Sequence, residues 1–557
     1  MKNWYVAILI LLYIGCCALY LFGIKWGLPS SYTKNYCPVN IGVSEEYVKQ
    51  SWQISKEKAE EKLPRSIFNS IRSFHPDEQN ILKSISAMSP EKMDFNPHFF
   101  EYPSCQIYLV AITLKMFSIM KFVNLTSDIS YYFNHREEMG KIYLSGRLLT
   151  VAMAVCGLIL FTIVAVSLYG KWGGLFSSAC LGLSPLYVIN SHYMTVDIPM
   201  IFWIIVSLFF IVKFIRTKKF LFLCLSSFFV GVAAGTKYPA ATMIFVLPFV
   251  HFADRRNFNV RFFKEIMILF FLCLVGFLIT TPYALISFQE FKRDVMYQTF
   301  SRGVGVSDLL SYFRFLGEFF GALWVGVWLI LILYIAGIWI QAARRNFSDR
   351  IVLTCFVLML LPLLSAGGFK YARYYLIVLP FLSLSAGCIF GRILEIRNLK
   401  FRLSGIVICI IFLLGSFSKS FAYSVLMSKK DVRLIAAEYI EKEIKPASTI
   451  IYTKDPWIFE VSPVNPLKYS ISIIPEQSLQ NAEQGSFLII GELQYFLTSG
   501  DRVQEMNKKI WQMAKKGFIV EKIFNNPVRI GPFEFDNRWT LHDMLYAHPL
   551  IFLFYKP

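Results

Sequence analysis

The sequence predicts an α-helical polytopic membrane protein of about eleven spanning helices, with a soluble α/β domain at its C-terminal end. Three observations predict it. The 557 residues are 55% hydrophobic and only 17% charged, mean hydropathy is +0.50, and several apolar runs reach the roughly 20 residues that a bilayer crossing needs. The formal charge of +19 falls largely in short Lys/Arg clusters between those runs, as cytoplasmic loops do. From residue 428 the long apolar runs give way to short strand-like and helix-like segments.

The first run, residues 4–23, is longer than a usual signal-peptide core and has no small-residue cleavage site. It is expected to remain as a first helix, with Lys2 inside. A long outer loop, 24–141, follows. Within it, 44–62 reads as a polar, solvated insertion, and 76–89 and 103–122 read as helices lying along the outer surface. The second is apolar enough to span. Counting it as a span would put every later basic cluster outside, against the positive-inside rule. Spans are then expected at 142–168, 174–191 and 198–215, at 220–235 and 239–252 as a pair broken at "GTKYP", and at 264–285, 318–342, 351–366, 374–391 and 403–423. This register places Lys213, Arg216, Lys218 and Lys219 inside, with Arg255, Arg256, Arg261 and Lys264, then Arg344, Arg345 and Arg350, then Arg392, Arg397, Lys400 and Arg402.

The membrane domain is therefore 1–427 and the soluble domain 428–557, extracytoplasmic by the helix count. In the latter, 429–445 and 501–516 read as helices, and "STIIYT", "SFLIIG", "FIVEKIF" and "LIFLFYK" as strands. No basic stripe is interleaved with base-stacking aromatics, so nucleic acid is excluded as a partner. Most of the 11 cysteines lie inside apolar runs, as small hydrophobes do. Cys37 and Cys105 share the outer loop and could form a bridge.

Chemistry-bearing residues gather in the outer loops. "SFHPDEQNIL" carries His75, Asp77 and Glu78, and "NSHYMTVDIPM" carries His192 and Asp197. Taken alone, His-Pro-Asp-Glu is also an ordinary helix start, with Pro in the first helical position and acids complementing the helix dipole. Four cations stand against the positive-inside pattern: Arg147, Lys237, and Lys370 and Arg373 of "FKYARYY", where Tyr374 follows. A cation at a membrane boundary on the unexpected side needs an anionic partner, and a lipid phosphate would supply one. These residues point to a sugar donor on polyprenyl phosphate, reacting at the outer surface. Asp77 is the expected base for the acceptor's proton, with Glu78 and Asp197 as further catalytic carboxylates. Lys237, Arg373, Arg147 and Lys370 are expected to stabilise the departing phosphate. A divalent metal held by Asp77, Glu78 or Asp197 could share that work; no other cofactor is called for.

The sequence resembles the GT-C superfamily of membrane glycosyltransferases, in the branch of protein O-mannosyltransferases and lipid A aminoarabinose transferases. The matching pieces lie within residues 70–390: "HPDEQNILKSISAM", "FFEYPSCQIYLVAI", "GRLLTVAMAVCGLIL", "SPLYVINSHYMTVDIPMIFW", "GVAAGTKYPA" and "RYYLIVLPFLSLSAG". The resemblance implies that Asp77 takes the place of the active-site acid of the first outer loop, that Asp197 corresponds to the Asp of the second, and that two helices lie along the outer surface. It also implies an inverting transfer of a sugar from a polyprenyl-phosphate donor to an extracytoplasmic protein, lipid or envelope glycan. The chain departs at Tyr102 of "EYP", where the aminoarabinose transferases carry Lys and the mannosyltransferases carry a His-Pro-Pro element, so neither sugar nor acceptor follows. A polyprenyl-lipid transporter and a non-catalytic envelope-assembly component are the alternatives.

A reporter fused after residue 425 is expected to read outside the cell membrane. An inside reading would break the assigned span register.

Overall fold

The computed structural model describes residues 2–30, 65–255, 259–301, 330–344, 346–365, 371–495, 501–535, 538 and 540–557. The expected insertion at 44–62, Cys37, Lys370 and the start of the span expected at 318 lie outside the described residues; Cys105 is buried with its thiol free. The protein is an integral membrane protein. Among the described residues, six helices are long and apolar enough to cross a membrane, and four shorter apolar ones accompany them.

The chain forms two compact units. One comprises Met1–Phe22, Ser84–Val110 and Leu148–Ser424; the other comprises Gly23–Lys83, Ala111–Arg147 and Val425–Pro557. The second unit thus joins the C-terminal stretch from Val425 with two segments of the expected outer loop, Gly23–Lys83 and Ala111–Arg147.

In the first unit the apolar helices follow the sequence pattern closely. Lys2–Leu21, Asp197–Thr217, Phe220–Ala234, Val260–Thr280, Phe347–Ser365, Leu379–Glu395 and Leu399–Ser428 all form. The two spans expected at 142–168 and 174–191 make one helical run, Arg136–Gly182, interrupted at Gly170, whose φ of 74° belongs to the left-handed region. Pro185–Ser191 completes the second of them. Small residues let backbones approach where lipid offers no hydrophobic drive between helices. A Cβ on Gly231 would overlap the carbonyl oxygen of Cys273, and one on Gly276 the carbonyl of Phe228. These two glycines seat Phe220–Ala234 on Val260–Thr280.

The second unit contains a five-stranded sheet. Its strands are β1 (Thr449–Tyr452), β2 (Ser470–Ile473), β3 (Phe487–Gly491), β4 (Ile519–Phe524) and β7 (Ile551–Tyr555); β5 (Arg529–Ile530) and β6 (Phe533–Glu534) make a separate hairpin. The sheet order is β2-β1-β3-β7-β4. β1 runs parallel to β2 and β3, and β7 antiparallel to β3 and β4. Side chains alternate across a strand. Ile450, Ile489, Ile551 and Leu553 pack on one face with Val432, Ala436 and Ile440 of helix Val432–Glu443. Ile451, Leu488, Ile490, Phe552 and Phe554 pack on the other face with Met513 of helix Arg502–Ala514. Burial on both faces explains why these strands read as nearly unbroken apolar runs.

Gly231→Leu is expected to force the two helices apart and to reduce the yield of monodisperse protein in detergent, read by fluorescence-detected size-exclusion chromatography.

Candidate functional site

"HPDEQ" does start a helix, Pro76–Ala87. His75 stands just before it, and the N–H of Asp77 donates to His75 Nδ1 at 3.3 Å. The imidazole thus satisfies one of the amide donors that a helix start leaves open. The two acids of the first turn then have different environments. Glu78 has no exposed surface. Arg147 grips it with Nε to Oε1 at 2.7 Å and Nη2 to Oε2 at 2.8 Å, while Ser73 Oγ donates to Oε2 at 2.5 Å. Arg147 Nη1 donates to the carbonyls of Ile24 and Trp26, both at 2.7 Å. Asp77 is only half-buried.

Arg147, expected at the phosphate, and Glu78, expected as a catalytic carboxylate, are thus joined in a buried ion pair. The reason is desolvation: a fully buried guanidinium is tolerable only when paired and hydrogen-bonded. Burial pushes the Glu78 carboxyl up, but the charge and hydrogen bonds of Arg147, with help from His75 and Ser73, hold it below the usual glutamate value.

The first unit holds the other cluster. Asp197 opens helix Asp197–Thr217. Lys237 lies in extended backbone in the break after helix Phe220–Ala234, ahead of the 3-10 turn Tyr238–Phe245. Pro239 prevents that helix from running through. The break delivers Lys237 Nζ to Asp197 Oδ1 at 2.6 Å, with Lys237 retaining some exposure. The same ammonium stands 4.9 Å from the ring centre of Tyr374. Tyr374 meets Tyr371 edge-to-face at 5.4 Å, and the Arg373 guanidinium lies 4.6 Å over Tyr371. Lys237 and Arg373 are thus each set against one ring of the same tyrosine pair, by cation–π attraction.

His192 and Tyr102 have local roles. His192 Nδ1 faces the Val188 carbonyl at 2.8 Å and Nε2 faces that of Phe22 at 3.0 Å, tying two helix ends together. Tyr102 is buried edge-to-face against Phe99. Its loop is held by helix Phe288–Ser301, which no apolar pattern marks. Asp294 accepts from the Phe100 N–H at 2.9 Å, Glu290 meets His98 Nδ1 at 3.0 Å, and Gln298 donates to Glu101. The spacing 290, 294, 298 in "EFKRDVMYQ" is the signal: residues four apart share a helix face.

Among the described residues, no three His, Cys, Asp or Glu side chains gather where they could hold a metal ion. Glu78 and Asp197 already carry cationic partners.

Residues 140–284 match the family model described as dolichyl-phosphate-mannose-protein mannosyltransferase. The chain resembles the protein O-mannosyltransferase branch of the GT-C glycosyltransferases. The matched stretch contains Asp197 and Lys237. No curated protein matches the chain. Among solved structures it is similar to ArnT from Cupriavidus metallidurans bound to undecaprenyl phosphate, at 12% identity and a TM-score of 0.44, covering 99% of this chain and 98% of that one. It is also similar to the Archaeoglobus fulgidus oligosaccharyltransferase tethered with an acceptor peptide, at 11% identity and a TM-score of 0.45, covering 94% and 69%. The S. cerevisiae Pmt1-Pmt2 complex bound to the sugar donor is similar at 15% identity and a TM-score of 0.32, covering 52% and 34%.

Arg147→Ala is expected to lower stability by about 3–5 kcal/mol, because it strands a buried carboxylate. Since the folded Glu78 value lies below the unfolded one, the pair's contribution is present above about pH 4.3 and lost as pH falls through the folded value. Thermal unfolding of the purified protein between pH 3 and pH 7 should show this acid limb, and Glu78→Gln should flatten it.

Proposed function

We propose that the protein transfers a sugar from a polyprenyl-phosphate donor to an extracytoplasmic acceptor, with inversion at the anomeric carbon. The observation that carries the reading is the Asp197–Lys237 pair beside the Tyr374–Tyr371–Arg373 row; Asp197 and Lys237 lie within the stretch that matches the dolichyl-phosphate-mannose-protein mannosyltransferase model. The acceptor oxygen bonds to the anomeric carbon, the bond from that carbon to the phosphate oxygen breaks, and the lipid phosphate leaves as an anion. Lys237 and Arg373 supply the positive charge that the departing phosphate requires. Asp197 holds the Lys237 ammonium in place. Asp77, the half-buried partner of a sealed acid, takes the acceptor's proton. Lys370 remains a further phosphate-binding candidate from its sequence position alone.

The test supplies purified protein with a radiolabelled polyprenyl-phosphate sugar and an envelope extract. Asp77→Asn is expected to reduce transfer by about 10²–10⁴-fold, the range of a general base, and Lys237→Gln to weaken use of the lipid-phosphate donor. Unchanged transfer in Asp77→Asn overturns the base assignment; absence of transfer with every donor supports a transporter or an assembly component instead.

A further inference from the structure

We propose that the soluble domain is the positioning device for Asp77, and that the segment after β1, at the strand ends, is a binding surface for the chain's own segment Arg65–Arg72, with Trp457 as the positioning residue. The inference rests on the reading of Asp77 as the base. It also gives the soluble domain a role that the transfer reaction by itself does not assign.

The sheet topology locates this surface. The chain leaves β1 for β2 on one side and then crosses to β3 on the other, with all three strands parallel. In open α/β sheets, ligands bind outside the carboxyl ends of the strands at such a reversal. Here the two sides are the segment after β1, "TKDPWIFE", and the turn after β3. They meet so closely that a Cβ on Gly491 would overlap the Glu460 carbonyl oxygen. Glu460 braces the first side, with Oε1 2.7 Å from Lys454 Nζ and Oε2 accepting from the Trp457 N–H at 3.2 Å.

The segment after β1 is taken up by outer-loop residues. Arg65 Nη1 donates to the Asp455 carbonyl at 2.7 Å. Asn69 reads the backbone in both directions: Nδ2 donates to the Pro456 carbonyl at 2.9 Å, and Oδ1 accepts from the Ile458 N–H at 3.1 Å. Trp457 serves two guanidinium groups, Arg65 at 4.1 Å and Arg72 at 3.8 Å from the ring centre. Cation–π contact of this kind favours Arg stacked on Trp.

What the domain grips leads directly to the acid. Arg72 is followed by Ser73, Phe74, His75, Pro76 and Asp77, and the next residues are gripped as well. Arg433, with no exposed surface, lies 4.3 Å over the Phe74 ring. Its guanidinium is fixed by Asp431 and by the carbonyls of Phe459 and Tyr546. Tyr546 meets the His75 ring edge-to-face at 5.0 Å, and His75 in turn accepts from the Asp77 N–H. Arg65, Asn69, Arg72, Phe74 and His75 therefore each touch the soluble domain, and His75 is the one that meets the Asp77 N–H.

The experiment uses the full-length protein in lipid nanodiscs and compares wild type with Trp457→Ala, Trp457→Phe and Arg72→Gln. Hydrogen exchange is read on the peptides covering 73–81, alongside donor kinetics. Trp457→Ala and Arg72→Gln are expected to speed exchange at 73–81 by at least tenfold, with the membrane helices unchanged, and to lower kcat at least tenfold with KM for the donor held. Trp457→Phe, which keeps an aromatic face, should restore both readouts most of the way. Exchange at 73–81 that stays at the wild-type rate in both disruptive variants overturns the proposal, as does faster exchange with kcat unaltered. If Trp457→Ala loosens the whole protein, Arg72→Gln decides. Lack of transfer by the wild type defeats the glycosyltransfer reading alone, and the exchange arm still judges whether the domain positions the segment.

Discussion

The Arg147–Glu78 pair governs what the first-turn acids of helix Pro76–Ala87 can do. A guanidinium with no exposed surface must find anionic and carbonyl partners or the segment around it will not fold. Arg147 finds Glu78, Ile24 and Trp26. In doing so it fixes the end of the first helical segment, the helix start at Pro76 and its own long helix against one another. One acid is consumed as structure, and its neighbour Asp77 is left half-buried on a rigid turn. The same rule recurs at Asp197–Lys237, and in the soluble domain at Arg433–Asp431 and Arg502–Glu492. None of these pairs is evidence of high stability, since desolvation offsets much of the Coulomb gain. Their effect is to make one arrangement of the surrounding segments far cheaper than the alternatives.

Much of this was legible in the residues. Apolar length and period placed nearly every described helix, and the strands "TIIY", "FLIIG" and "IFLFY" were readable because burial on both faces leaves them almost wholly apolar, while the exposed edge strand "IVEKIF" was readable from its β-branched and aromatic residues. β2, "SISI", was not readable: as an edge strand it alternates weakly and is largely exposed. Helix Phe288–Ser301 was missed because it is polar, and its importance lies in Glu290, Asp294 and Gln298, whose partners are 180 or more positions away. Of the cations against the positive-inside pattern, Arg147 and Lys237 each meet a carboxylate and Arg373 a tyrosine ring. Which partner each finds was illegible, because Arg147 and Lys237 carry the same signal in sequence. Only burial separates them: Arg147 is sealed, and Lys237 keeps some access to solvent.

The tyrosines of "KYARYY" do more than mark a membrane interface. Tyr374 and Tyr371 form an edge-to-face pair with a cation against each outer side, Lys237 on one and Arg373 on the other. An aromatic face attracts positive charge without neutralising it. A carboxylate in the same position would quench the field that an arriving phosphate senses.

The contacts of Arg65 and Asn69 with the segment after β1 join positions some 390 residues apart in the chain. During synthesis at about 5–20 residues per second, the segment leading to Asp77 is made roughly 20–80 s before the strand that receives it. Every later membrane helix must insert during that interval. The carboxylate proposed to react therefore reaches its final setting only when the last part of the chain has been made and folded, so an incomplete or stalled chain would remain chemically silent in the membrane.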